Sequence, residues 1–379
     1  MSKVMVAGHI CLDITPTFRN NKVEHLNSIL SPGKLIQVGL ADISTGGTVA
    51  NAGLAMNFFG ANVTLLAKVG DDPFGKVIEE KLTEHNASFH LIKDKHVATS
   101  YSVVIAIPGL DRIFLHHTGT NDTFYESDIT DELLDGITHF HFGYPPLMRS
   151  MYEDNGDGLS KLFKRVKDRG CTTSLDMAAV DPGSDSGKAD WHALLTKTLP
   201  YVDFFLPSIE ETGYMLDRSR YLKWNELAEG NDITRILSVD EDISPMAGKL
   251  LELGAKIVVL KCGELGMYYK TGNVQQLEDV CKTRNLNPDE WCNQCGFEQS
   301  YLQENIISGT GAGDVSIAAF LTSMLNGASL HRSIQLAAAA GAYCISSPDA
   351  LSGLEPLDVL SAHIDSGWAK RKPFADTVL

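Results

Sequence analysis

No stretch of this 379-residue sequence reaches the roughly 18 consecutive apolar residues that suggest a membrane span. Its start, "MSKVMVAGHICLDI", enters a β-like run without the pattern of a secretory signal peptide. The expected location is therefore cytoplasmic, with no membrane partner. Basic residues are scarce, with 32 Lys and Arg against 48 Asp and Glu, a formal net charge of −16. That balance opposes diffuse binding to nucleic acid, so any phosphate must be held locally. Internal repeats and low-complexity linkers are also missing. Cysteine is sparse and odd in number: Cys11, Cys171, Cys262, Cys281, Cys292, Cys295 and Cys344 are scattered over a long chain, unlike a disulfide framework. Cys281, Cys292 and Cys295 include a C-x-x-C, yet no histidine lies between Cys281 and Ser308, which leaves a zinc set one ligand short. An inserted loop is the simpler reading.

Two familiar phosphate-binding patterns are absent as well. "SGTGAGD" spaces its glycines as Gly309, Gly311 and Gly313, which is not G-x-G-x-x-G, and no lysine follows as a P-loop requires. The nearest P-loop imitation, Gly183 to Ala189, is one residue short and ends in Ala where a Mg²⁺-binding hydroxyl belongs. It reads as an ordinary loop.

What is present is a chain with 44% hydrophobic residues, enough for a large core. Short β-like runs alternate with helical patterns: "KVMVAG", "VTLLAKVG", "ITHFHFG", "CTTSLDM", "VDFFLP" and "KIVVLKCG". This predicts an α/β fold with a doubly wound, mainly parallel sheet flanked by helices. Several runs end in Gly, Asp or Pro, which puts the active site at the carboxyl edge of the sheet. "YSVVIAIPGLDRIFLHH" reads as a hairpin, and 14–44 as short irregular strands. Segments within 14–44 and 97–118 are thus expected to form a small β-sheet lid over a substrate. The polar, weakly periodic stretches 217–242 and 279–305 read as insertions into a single domain spanning 1–379.

Glycines 309 to 313 precede an apolar helical stretch. Bare backbone lets successive N–H groups converge, and a helix start adds its positive end, so Gly311, Ala312 and Gly313 can form an anion hole. Asp314 beside it can take a proton from a substrate hydroxyl; the competing reading is a helix cap beside a tight turn. A second cluster places Gly46 and Gly47 before Asn51, with Val49, Met56 and Phe59 able to face a core. Paired glycines admit a close polar ligand, and an Asn amide both donates to and accepts from hydroxyls.

Together these two clusters resemble the signatures of the ribokinase-like carbohydrate kinases, the family that includes fructokinase, adenosine kinase and phosphofructokinase of the B type. The amino-terminal signature is Gly46-Gly47, Asn51, Gly60 and Gly70; the carboxy-terminal one is Gly311-Ala312-Gly313-Asp314. The resemblance runs from Val4 to about Leu357. It implies a ribokinase-like fold and transfer of the ATP γ-phosphoryl group to a hydroxyl of a small sugar or nucleoside. By the same resemblance Asp314 is the catalytic base, and Gly311, Ala312 and Gly313 form the anion hole. Asp13, matched to an acid at the end of the first strand, would bind sugar hydroxyls with Gly46, Gly47 and Asn51. Lys261, Gly263 and Gly266 match the nucleotide-binding turn, with Lys261 where Thr is more usual. Glu211, in "PSIEET", matches the acid that organises Mg²⁺ through water, with Ser208 in place of Asn. Lids of this family often pair between subunits, which implies a homodimer. Ser308 stands where the family commonly has an Asp tied to a monovalent-cation site, so cation use is left open. Ser308 and Ser208 also motivate a rival, a sugar- or nucleoside-binding regulator with weakened turnover. A nucleotide-dependent oxidoreductase conflicts with the glycine spacing.

Overall fold

The first strand, β1 (Lys3–Gly8), is buried along almost its whole length, as a central strand covered on both faces must be. Its alternate side chains divide between two cores: Val4 and Val6 face one, Met5 and Ala7 the other. The structure is a computed structural model and describes residues 2–18, 25–26, 29–108, 110 and 112–371. Parts of the expected lid (19–24, 27–28, 109 and 111) and the end of the expected domain, 372–379, lie outside the described residues.

Six strands run parallel to β1: β4 (Asn62–Gly70), β5 (Ser88–Asp94), β8 (His139–Gly143), β9 (Thr172–Asp176), β10 (Phe204–Phe205) and β11 (Ile257–Lys261) join it. Two antiparallel strands, β12 (Gly266–Thr271) and β13 (Cys295–Gln299), complete the edge beyond β11. The order is β13-β12-β11-β10-β9-β8-β1-β4-β5, so the expected mainly parallel sheet with helices on both faces is the fold. All six β-like runs named above lie in this sheet. Residues 217–242 and 279–305, read as insertions on their polar composition, carry regular structure. The first holds the helix Arg218–Ala228; the second holds β13 and the buried Trp291.

A second sheet of four strands has the order β3-β2-β6-β7, built from β2 (Cys11–Pro16), β3 (Ala41–Gly46), β6 (Tyr101–Ile105) and β7 (Ile113–His117). It corrects one expectation: Asp13 is not at the end of β1 but is the third residue of β2. The chain leaves the main sheet at Gly8, whose φ of 128° is open to glycine, and a Cβ there would lie 2.4 Å from the Gly143 carbonyl oxygen. Beyond that bend it starts a strand of the other sheet.

Helix Ala312–Leu325 is apolar almost all round, as a fully buried helix must be. It runs between Thr48–Phe58 and Leu330–Cys344, and each of its large side chains, such as Phe320 or Leu321, contributes about 1.5–3 kcal/mol by burial. That packing fixes where its first turn points. No helix among the described residues is long and apolar enough to cross a membrane.

Candidate active site

The two glycine-rich clusters, some 263 positions apart, meet at one carboxylate. Asn51 Nδ2 donates to Asp314 Oδ2 at 3.0 Å. Tyr144 donates its hydroxyl to the same oxygen at 2.7 Å. Asp314 Oδ1 is buried with no partner. Burial pushes the Asp314 carboxyl above its ordinary range, while the bonds from Asn51 and Tyr144 and the Lys261 ammonium pull it back part of the way. The carboxylate is thus held by one oxygen and presents the other.

Asp314 sits in the first turn of helix Ala312–Leu325, whose N-cap, Gly311, is left-handed at φ 76° and supplies no side-chain cap. A Cβ at Gly311 would lie 2.3 Å from Ala350 Cβ, so both the conformation and the space demand glycine. Upstream, Ser308 is buried and its Oγ accepts the N–H of Thr310 at 3.1 Å, the local turn bond that a short Asp would also make. Arg112, from the hairpin of the small sheet, donates to Thr310 Oγ1. The small sheet therefore touches the Gly311–Gly313 loop directly.

Beside this loop lies a second charged group. Lys261, at the end of β11, donates to Asp176 Oδ1 at 2.6 Å; Asp176 is buried and Lys261 mostly so. Burial pushes Asp176 up to about 8, with Glu211 and Asp314 adding to it against the pull of Lys261. Burial lowers the Lys261 pKa, but Asp176 and Glu211 more than offset this and keep the ammonium charged. A Cβ at Gly313 would lie 3.7 Å from Lys261 Nζ, which sets the ammonium alongside the Gly311–Gly313 loop. Glu211 closes a capping box, accepting from Ser208 N at 2.7 Å while Ser208 Oγ accepts from Glu211 N at 3.1 Å. Ser208 thus does good helix-start work in its own right. Asp176, Glu211 and Asp314 line one cleft of ≈ 320 Å³ with Lys261. Three carboxylates against one ammonium is a donor set suited to a divalent cation.

A larger cavity of ≈ 480 Å³ meets this cleft at Lys261 and Gly313 and is lined by Gly263 and Gly266. On the opposite side, the face of the small sheet turned to the site carries a polar row. Ser44, Asp13, Ser102 and His116 are in register across β3, β2, β6 and β7. Asp13 is raised chiefly by burial, with Cys11, Ser102 and Arg112 lowering it in part. Gly46 and Gly47 leave room for this wall: a Cβ at Gly46 would lie 2.2 Å from Asp13 Oδ2, and one at Gly47 would lie 2.4 Å from His9 Nδ1. His9 stacks at a tilt between His116 and Tyr144, with ring centroids 5.2 and 5.9 Å away.

Lys261, Gly263, Gly266, Glu211 and Gly311 to Asp314 therefore line two adjoining cavities, with Asn51 joined to them through Asp314, while Asp13, Gly46 and Gly47 lie in the small-sheet wall. Sequence reasoning missed Tyr144, Asp176 and His9. Asp176 had a signal, an acid closing a β-like run. Tyr144 had only the Pro145-Pro146 that follows it; its own left-handed backbone, φ 67°, marks it as a residue held by its surroundings. Cys281 and Cys292 are buried and Cys295 is exposed. Among the described residues, the cluster of metal-ligand type is elsewhere: His9, Cys11 and His116.

Comparison with known proteins agrees with this geometry. The family model described as pfkB family carbohydrate kinase matches residues 1–356. An ATP-dependent 6-phosphofructokinase of Thermoanaerobacterium thermosaccharolyticum is 22% identical over 323 residues, 84% of each chain. A 2-dehydro-3-deoxygluconokinase of Thermoproteus tenax is 24% identical over 325 residues, 84% of this chain and 85% of that one. A crystal structure of a putative ribokinase II from E. coli, in complex with ATP and Mg²⁺, superposes with a TM-score of 0.70 at 20% identity, covering 97% of this chain and 100% of that one. With most of its length matched by the family model and its fold shared with ribokinases, the chain belongs to the pfkB family of carbohydrate kinases.

Proposed function

We propose that this chain transfers the γ-phosphoryl group of ATP to a hydroxyl of a small neutral sugar, with Asp314 as the base. The observation that carries this reading is the buried, partnerless Oδ1 of Asp314, whose other oxygen is fixed by Asn51 and Tyr144. A carboxylate raised towards neutrality, with one oxygen free at an uncapped helix start, suits proton abstraction from an alcohol. The amides of Gly311, Ala312 and Gly313 hold the charge that develops on the transferring group. The nucleotide lies in the larger cavity over Gly263 and Gly266, and Lys261 at the junction neutralises phosphate oxygens. Asp13, Gly46, Gly47 and Asn51 bind the acceptor; carboxylate and amide groups suit adjacent neutral hydroxyls.

Glu211 and Asp176 would hold Mg²⁺, Glu211 through water. The ion supplies neutralisation of β- and γ-phosphate charge. Attack is in line, and positioning does most of the work. Closure of the small sheet, with Arg112 reaching Thr310, excludes the competing acceptor, water. The same sheet is the surface through which two copies would pair.

The test is a screen of purified protein with ATP and Mg²⁺ against neutral monosaccharides, nucleosides and sugar phosphates. ADP formation dependent on a monosaccharide supports this reading. Turnover confined to nucleosides or sugar phosphates reassigns the acceptor. Calorimetric binding of a sugar with no product at high enzyme concentration would make the chain a binding protein.

A further inference from the structure

We propose that His9, Cys11 and His116 form a zinc site that ties the small sheet to the main sheet. His9 follows the bend at Gly8 that leaves the main sheet, Cys11 opens β2, and His116 lies on β7 at the far edge of the small sheet. Their ligand atoms all lie within 4.8 Å of one another. The two imidazole Nε2 atoms face each other at 3.4 Å. That is long for a hydrogen bond between neutral rings. It matches two nitrogens on one tetrahedral zinc, which at bonds of about 2.0–2.1 Å stand roughly 3.3–3.4 Å apart.

The surroundings of two of the ligands, His116 and Cys11, fit as well. Ser102 Oγ lies 3.0 Å from His116 Nδ1. With the Nδ1 proton donated to that oxygen, Nε2 is left bare for a metal, the outer bond that ligating histidines usually make. Cys11 Sγ lies 3.8 Å from the same Ser102 hydroxyl, so one side chain braces two ligands. A thiol with two imidazoles is a soft to borderline set, which selects zinc over Mg²⁺. Three protein ligands leave a fourth position for water. The thiol proton is released to solvent when the metal binds. β7 is exposed along its length, which gives the ion a path in.

The site is distinct from the Glu211 and Asp176 cleft, and the inference does not depend on which acceptor is phosphorylated. Bound zinc would pin His116 on the edge strand to His9 at the exit from the main sheet and keep the small sheet shut.

The experiment loads the full-length protein with zinc, removes the excess by gel filtration and measures retained metal. Wild type is expected to keep one equivalent, and Cys11→Ser or His116→Ala to lose it, with Cys281→Ser/Cys292→Ser/Cys295→Ser keeping it. Because His116 is on an exposed strand, its variant should retain the wild-type melting curve without metal. Loading with Co²⁺ should give a thiolate-to-cobalt charge-transfer band that Cys11→Ser abolishes. No retained zinc in wild type, or retention in His116→Ala and Cys11→Ser undiminished from wild type, would overturn the proposal.

Discussion

Tyr144 holds Oδ2 of Asp314 by a 2.7 Å hydrogen bond from one side while Asn51 holds it from the other, and Oδ1 of the same carboxylate stays free. Tyr144 is itself half-buried, and its phenol is pushed well above its ordinary pKa by desolvation and by Asp314, so it remains a donor. Its bond stabilises the ionised carboxylate. In Tyr144→Phe the pKa of Asp314 should rise, and the acid limb of the kcat/KM profile should move to higher pH. A pH–rate profile with an unmoved acid limb would refute this positioning role.

Asp314→Asn should lower kcat by about 10²–10⁴-fold, the usual share of a general base, with acceptor affinity nearly kept. The same variant should also be more stable than wild type, and the gain should depend on pH. The folded-state pKa of Asp314 is raised by burial, so its contribution is favourable below the unfolded carboxyl pKa and is lost as pH rises through the folded value. Denaturant titrations should therefore give a larger advantage for Asn at pH 8 than at pH 5.

Lys261→Met leaves Asp176, Glu211 and Asp314 facing one another without the ammonium. Breaking a buried ion pair from one side costs about 3–5 kcal/mol. Chemical denaturation should show a loss of that size, partly recovered in Lys261→Met/Asp176→Asn. A loss that the second substitution does not reduce would mean that Lys261 acts mainly by packing.

Arg112→Ala removes the contact between the small sheet and Thr310. A hydrogen bond from a charged group is worth about 1.5–3 kcal/mol, so transfer should weaken roughly ten- to a hundredfold in kcat/KM for the acceptor. Hydrolysis of ATP by water should rise relative to transfer. Product ratios measured with and without acceptor check both.

The main sheet was legible because its buried strands are short apolar runs that end in Gly, Asp or Pro. The edge strands β12 and β13 were not, since "GMYYKT" directly follows a glycine turn and "CGFEQ" lies in a polar stretch with little alternation. The site was legible where glycine carries the message, at Gly46-Gly47 and Gly311 to Gly313. Bare backbone is rare enough in sequence to announce itself. Tyr144 and His9 depend on contacts across 170 and 107 positions, which no local pattern encodes. Asp13 was found but placed on the wrong element, because "VMVAGHICLDI" reads as one strand until the backbone at Gly8 divides it.

That division has a mechanical consequence. Asp13 belongs to β2, so the residue proposed to grip the acceptor is carried by the same sheet that covers it. Any swing of that sheet away from the Gly311–Gly313 loop carries the grip with it. Opening would then loosen the hold on the product, leaving Asn51 on its helix as the contact that stays behind.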